Sequence, residues 1–485
     1  MSDLPEYLTK GGPGDRSEPG NVNTEEWWKG LAEDQKSTLI QQAKDKEIYF
    51  CSIPFTQIYS EQGGKYKACC FGAESTTSVE DVSLYDWMTK SDYMNQIRHE
   101  MLTPGSDLKH VKNTCSRCWT DEQKYGRSRR TNCLKIHTND AEFAKGIEAS
   151  ATRFRNTGKW TFKERICEIQ LKVFGSECNL DCFMCAHYNS STRYRVAKDG
   201  VWEDSIFGPR SEAWNSKIEH VFKDRTKGIV EQVEELAPFV RSIKIIGGEP
   251  FVMKKQYEVL QMLIEIGEAE NIVLKYQTNL TVTKHGKHKI FDYLPHFKRV
   301  AIVASIDGIG DSIEYMRRRS NWNEIVENIN ECNKYDNIDV DFNGLVSFLS
   351  VLRFYEVIDW CKENPVIDQL NWAFCEKPYS FRTNNLPEKL KQELIPKYKD
   401  WPDIQAALRR PAHPAFDIQN VFAYFLKGDK YYEGTKWEKN LFDVFPELEE
   451  YYIPKEITLE QEVLFKQWDK ELKEAEEEDD VTNIS

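Results

Sequence analysis

The stretch Ile166–Cys185 reads ICEIQLKVFGSECNLDCFMC, and it decides the fold. Its first half alternates, with polar Glu168, Gln170 and Lys172 standing between Ile169, Leu171 and Val173. A period of two puts successive side chains on opposite faces, so Ile166–Phe174 is predicted to be a β-strand. Its second half sets Cys178, Cys182 and Cys185 in a loop directly after that strand. Thiolates are soft ligands that suit zinc or iron–sulfur clusters. One loop with this spacing can wrap three corners of a cubane and leave the fourth iron open, as catalytic metals keep a free position. Zinc sites favour paired CxxC units with four protein ligands, which this loop lacks.

Working outward, strands and helices alternate. Phe239–Ile246, Ile272–Gln277 and Arg299–Ile306 read as the second to fourth strands; Ile338–Phe342 with Val346–Phe348 marks a fifth, and Leu370–Cys375 a sixth. Between them lie helical stripes. One holds Val259, Leu260, Leu263 and Ile264, with Gly267 near its end; another holds Trp322, Ile325, Val326 and Ile329, with Ser320 placed to cap it; a third holds Phe354, Val357, Ile358 and Cys361. Strands alternating with helices give a parallel sheet. Six units fall short of the eight of a closed barrel, so the expected fold is α/β, a partial (β/α)6 TIM-like barrel whose working end lies where the strands finish.

Three of those strand ends carry polar motifs. Gly247-Gly248-Glu249-Pro250 ends the second strand and Asn279 follows the third. Ser305-Ile306-Asp307-Gly308 ends the fourth, with Arg317 ten residues after Asp307. Glycines let a backbone approach a ligand closely, a carboxylate accepts from an ammonium group, and the planar fork of arginine suits a carboxylate. Alone, a Gly-Gly-Glu turn is more often just a turn, and Arg317 heads a run of three arginines that also reads as a solvated surface.

The chain has 485 residues and a formal net charge of −14, which argues against broad electrostatic binding to nucleic acid. The acidic run Glu476–Asp480 reads as a solvated tail. No apolar run approaches the ~20 residues of a membrane helix, and the first 25 residues lack the features of a signal peptide. The expectation is a cytoplasmic protein, in whose reducing compartment the 13 cysteines are metal ligands or buried thiols, not disulfides.

Residues 1–45 read as a flexible leader, 46–150 as a loop-rich cysteine domain, 160–380 as the partial barrel, and 385–485 as a helical C-terminal extension. In that extension Thr458 and Gln461 are spaced as a capping box ahead of a last helix. The cysteine domain holds Cys51, Cys69, Cys70, Cys115, Cys118 and Cys133. Four thiolates from two separated segments make a closed site for zinc or a [4Fe-4S] cluster, which ligand count alone does not separate. Cys133, Cys167, Cys332, Cys361 and Cys375 read as ordinary buried thiols. Lys124–Lys135, with Arg127, Arg129 and Arg130, is locally basic: a solvated face, or a patch for an acidic or nucleic-acid substrate.

Over about 165–375 the chain resembles the radical S-adenosylmethionine (SAM) superfamily, on the cysteine triplet, the Gly247–Glu249 turn and the Ser305–Asp307 strand end. The resemblance implies a [4Fe-4S] cluster on Cys178, Cys182 and Cys185 and SAM chelated to its open iron. It also implies an external electron donor and one-electron cleavage of SAM to a 5′-deoxyadenosyl radical that takes hydrogen from a substrate. Gly247, Gly248, Glu249, Asn279, Ser305, Asp307 and Arg317 would line the SAM pocket. Met184 stands where the family commonly has an aromatic residue near adenine.

A second resemblance, over about 48–135, is to the twitch domain, the shortened relative of the SPASM domain, as found in phage and bacterial twitch-containing radical SAM proteins. It is carried by Cys51, Gly64, Cys69 and the Cys115/Cys118 pair, and by Glu122, Gly126, Ser128 and Arg130. It implies an auxiliary [4Fe-4S] cluster on Cys51, Cys69, Cys115 and Cys118, with the Gly64 spacing favouring Cys69 over its neighbour Cys70. In familiar members this domain follows the barrel, whereas here it precedes it. Such enzymes often act on peptides, so modification of a peptide or protein is the leading expectation. The alternatives are radical chemistry on a nucleoside, RNA or small metabolite, and a non-catalytic iron–sulfur scaffold. No residue is assigned as catalytic acid or base.

Overall fold

The computed structural model describes residues 50–61, 63–72, 74–103, 106–198, 225–412 and 416–454. The leader and the expected capping box at Thr458 and Gln461 lie outside the described residues.

A nine-stranded sheet forms the frame. The chain first makes a short hairpin, β1 (Gln57–Ser60), β2 (Lys65–Lys67) and β3 (Glu74–Ser78), and then five helices: α1 (Leu84–Lys90), α2 (Asp92–Leu102), α3 (Lys109–Tyr125), α4 (Arg129–Asn139) and α5 (Ala141–Thr157). The barrel strands are β4 (Cys167–Leu171), β5 (Val240–Ile245), β6 (Val273–Thr278), β7 (Arg299–Ser305), β8 (Ile338–Val346) and β9 (Gln369–Phe374). They are parallel and neighbour one another in chain order, as βα units do. The longer helices among them are α6 (Ser191–Lys198), α7 (Ile229–Leu236), α8 (Lys254–Glu265), α9 (Trp322–Cys332) and α10 (Phe354–Glu363), and α11 (Ile418–Tyr432) follows in the C-terminal extension.

The sheet separates an apolar outer layer from a polar inner face. Ile243, Ile245, Leu274, Tyr276, Val300, Ile302 and Phe342 are fully buried on the side the helices cover. Phe342 stacks on Trp360 of α10 at 5.5 Å. In α8, Val259, Leu260 and Leu263 are likewise buried; each such side chain contributes roughly 1.5–3 kcal/mol. The alternating residues, among them Lys244, Lys275, Val303, Asp341 and Asn343, are only half-buried on the other face.

Two expectations are corrected. The cysteine-rich segment is mostly helical, not loop-rich: α3, KHVKNTCSRCWTDEQKY, is made largely of polar residues, and α4, RRTNCLKIHTN, has almost no apolar stripe. The cap of α9 is Asn321, whose side chain accepts from Glu324 N at 3.1 Å, while Ser320 closes the preceding turn onto Arg317 O. The N-terminal segment also shares the barrel's sheet, since β1 pairs parallel with β4. The boundary drawn at 150 falls inside α5.

Candidate cluster and cofactor site

Cys178, Cys182 and Cys185 lie in the loop after β4. Two contacts pin this loop to neighbouring strand ends. Glu249 N donates to Glu177 O at 2.7 Å, and a Cβ on Gly248 would collide with the carbonyls of Ser176 and Glu177. The close approach made by this glycine is therefore to the chain's own backbone. Asp181–Cys182 also forms a two-residue antiparallel ladder with Arg317–Arg318, which sets Arg317 opposite Cys182.

The arginine is held there. Its Nε and Nη2 both lie 2.9 Å from Asp307 Oδ2, and Asp307 is fully buried and accepts from Leu345 N through its other oxygen. This leaves Arg317 Nη1 at 3.9 Å from Cys182 Sγ. Asn279 Nδ2 stands 4.0 Å from Cys178 Sγ and 3.0 Å from Asn179 Oδ1, while its oxygen accepts from Thr281. Glu249 is turned inward: its oxygens accept from Phe251 N, Thr278 Oγ1 and Asn279 N. Burial pushes its carboxyl up to about 7 against those three donors. Ser305 is half-buried at the end of β7, and Met184 is half-buried against the core.

The three thiols fit a cluster on their donor chemistry. Each is raised above its ordinary pKa, by burial first; Cys178 rises to about 12, with Glu249 adding to the effect, while Arg317 pulls Cys182 and Cys185 back. The charge of Cys185 adds to the rise at both Cys178 and Cys182. N–H donors directed at two of them suit thiolates carrying the charge of a bound cluster. Loading a metal would release the thiol protons.

Sequence reasoning missed what braces this loop. Arg193 of α6 donates to Asp181 Oδ1 at 2.9 Å, to Phe183 O at 2.9 Å and to Cys185 O at 3.3 Å, all buried or nearly so. From α11, Tyr424 donates to Phe183 O at 2.8 Å and Tyr432 to Asp181 Oδ2 at 2.9 Å. These partners lie 241 and 251 residues apart in sequence, beyond any spacing rule. Phe183 packs edge-on against Phe381 and Phe425. The C-terminal extension thus closes over the back of the cysteine loop.

The second cysteine group is equally built. Cys51, Cys69, Cys115 and Cys118 line one small cavity with Thr114 and Arg130. Cys115 and Cys118 share a face of α3, being three residues apart on a helix. The Glu122–Arg130 segment is the corner that follows: Gly126 caps α3 at φ 71°, Ser128 caps α4, and Glu122 takes Arg130 through bonds of 2.9 and 2.7 Å. Burial is the first cause raising Cys51, Cys69 and Cys115; other thiols add to it. Cys70 and Cys133 interact electrostatically with this group but do not line the cavity. Among the described residues no three His, Cys, Asp or Glu side chains gather closely enough to share one metal ion. A cubane takes one thiolate at each iron, and four thiols around one cavity fit that demand.

The domain so described is a parallel half-barrel with three cysteines after its first βα strand. The model of the Radical SAM superfamily matches residues 173–353, so the chain carries a radical SAM domain, the domain of enzymes that use SAM and a [4Fe-4S] cluster. No curated protein matches the chain in sequence. Among solved structures it is similar to native anSMEcpe with bound AdoMet, at 15% identity and TM-score 0.34, over 50% of this chain and 63% of that one. It is also similar to Streptococcus suis SuiB bound to precursor peptide SuiA, at 12% identity and TM-score 0.33, over 81% and 74%. A structure of TYW1 with a lysine-pyruvate adduct is similar at 12% identity and TM-score 0.26, over 48% and 73%. The chain spans less than two thirds of the length of the first of these. Among the described residues no helix is long and apolar enough to cross a membrane.

Proposed function

We propose that the chain is a radical SAM enzyme that modifies a peptide or protein. Cys178, Cys182 and Cys185 would hold the SAM-binding cluster, and Cys51, Cys69, Cys115 and Cys118 an auxiliary one. With both groups bound, the chemistry supplied is one-electron cleavage of SAM, hydrogen abstraction from the substrate, and an acceptor for the substrate's electron.

The residues of the chain do the rest. Asp307 fixes Arg317 beside Cys182, where the guanidinium would offset thiolate charge and offer a donor to the SAM carboxylate or ribose. Asn279 and the Gly247–Glu249 turn shape the adjoining wall, with Glu249 positioning the ends of β5 and β6 from behind. Ser305 and Met184 stand at the same rim. Arg193, Tyr424 and Tyr432 hold the loop carbonyls.

The observation that carries the reading is the four-cysteine cavity on the same sheet as the three-cysteine loop. Reconstituted protein given SAM and a reductant should form 5′-deoxyadenosine. No product above that of a Cys178→Ala control would overturn SAM cleavage. Salt-sensitive copurification of RNA would overturn the peptide assignment.

A further inference from the structure

The sheet has two edges, β9 on one side and β3 on the other. Natural sheets guard their edges with charge, proline or bulges, because an unpaired row of N–H and C=O groups accepts any extended chain. β3 is guarded: it reads ESTTS, and its pairing with β2 is broken by a register shift. β9 is not. It reads QLNWAF, without charge or proline, and none of its residues is buried, although β8 beside it buries every second one.

One side of β9 is open. Successive residues of a strand turn their main-chain groups to opposite sides. Asn343 O accepts from Ile306 N at 3.1 Å, so the even-numbered residues of β8 face β9, and Val346 O takes Cys375 N at 2.9 Å. In that register Asn371 and Ala373 face β8, while Leu370, Trp372 and Phe374 face away. Among the described residues the main-chain N–H and C=O groups of those three meet no partner. The side chains divide between the two faces. Trp372 lies in the outer layer, where Nε1 donates to Asp403 at 2.8 Å and the ring packs edge-on against Trp401, so Asn371 looks into the half-barrel. There it stands in register with Asn343, and Asn343 with Ser305. Asn371 Oδ1 is buried without a hydrogen-bond partner, a costly state that a neighbouring donor would relieve.

We propose that β9 receives an extended segment of the substrate peptide as an added strand, paired main chain to main chain, with alternate side chains directed into the half-barrel. The proposal rests on the reading of the chain as a peptide-modifying enzyme and says how that peptide is held. Strand addition draws affinity from the main chain and specificity from every second side chain. The inner face that carries Ser305 continues into the added strand, so an inward residue of the peptide faces the same space as Ser305. Charge marks one end of the peptide. Asp368 N donates to Val340 O at 3.0 Å, which sets Asp368 beside Asp339 and Asp341 at the start of β9. Of these three only Asp339 has an ion-pair partner among the described residues, Arg299. The remaining negative charge favours a basic side chain there.

The test is calorimetric titration of the iron-loaded full chain with acetyl-Lys-Thr-Val-Thr-Val-Thr-amide. Three further peptides carry main-chain N-methyl groups on the threonines, on the valines, or on both. An added edge strand uses one side of its main chain. At least one singly methylated peptide should therefore bind within about twofold of the parent peptide, and the doubly methylated one about tenfold or more weaker. Leu370→Pro removes an outward N–H at a position where an edge tolerates proline. It should weaken binding about tenfold with iron content unchanged. Norleucine in place of the lysine should cost about threefold, a difference lost when Asp341→Asn is combined with Asp368→Asn. Equal binding of all four peptides, or loss in both singly methylated ones, overturns the proposal whether or not the proline variant folds. So does absence of binding at about 1 mM, the result expected if the chain covers its own edge. A dimer that Leu370→Pro dissociates in sedimentation would assign the edge to a second copy and overturn it as well. Production of 5′-deoxyadenosine is measured separately. Strand-like binding without it would refute the radical reading and keep the docking edge; the reverse would refute the edge alone.

Discussion

Asp307 holds Arg317 in a buried ion pair of 2.9 Å, and the pair places the arginine's Nη1 3.9 Å from Cys182 Sγ. Breaking a buried pair strands its partner and costs about 3–5 kcal/mol. Arg317→Met should therefore lower stability by about 3 kcal/mol. It should also stop SAM from perturbing the EPR signal of the reduced cluster. Arg317→Lys, which keeps charge but not the fork, should fall between. Denaturant titration and EPR of the reconstituted chain check both; a Met variant that still responds to SAM would remove Arg317 from the site.

Iron content separates the two cysteine groups. Anaerobic reconstitution should give about eight irons per chain, since each cubane holds four. Cys178→Ala with Cys182→Ala and Cys185→Ala should leave about four, and so should Cys115→Ala with Cys118→Ala. About four irons with one zinc in the parent chain would assign zinc to the Cys51–Cys118 group.

The α11 brace should show in cluster retention. Tyr432→Phe removes the bond to Asp181 Oδ2, and Tyr424→Phe the bond to Phe183 O. Each leaves a buried acceptor short of a donor, worth about 1–2 kcal/mol. Both variants should lose iron faster to a chelator than the parent, with the Cys51–Cys118 group unaffected in its EPR signal.

Asp341 gives a pH signature. Burial, then the charges of Asp368 and Asp339, push its carboxyl up to about 6. A carboxyl raised on folding favours the folded state below its unfolded pKa, and that contribution is lost as pH rises through about 6. Asp341→Asn should thus stabilise the chain at pH 8 and change little at pH 3. The side chain is half-exposed, so screening reduces the gain to about 1 kcal/mol. Equal effects at both values would show that the carboxyl is not strained.

Much of the frame was legible in the chain because it rests on local periodicity. All six barrel strands overlap the ranges read from the sequence, the fifth running unbroken over Ile338–Val346 where two pieces were expected, and α8, α9 and α10 lie on their apolar stripes. The cap at Asn321 escaped because two adjacent polar residues could each serve, and backbone geometry chose between them. The helices of the cysteine-rich segment escaped because α3 and α4 are built mostly of polar residues, which also suit loops, and α4 has almost no apolar stripe.

Spacing in the sequence determined the cysteine loop after the first βα strand, the half-barrel and the residues at its strand ends. Those features follow from neighbours a few positions apart. Only the tertiary structure decided that β1 extends the barrel's sheet, that Glu249 faces inward, that Asp307 aims Arg317, and that α11 braces the loop. Each joins segments far apart in the chain, where packing and the pairing of buried charge, not local propensity, set which groups meet.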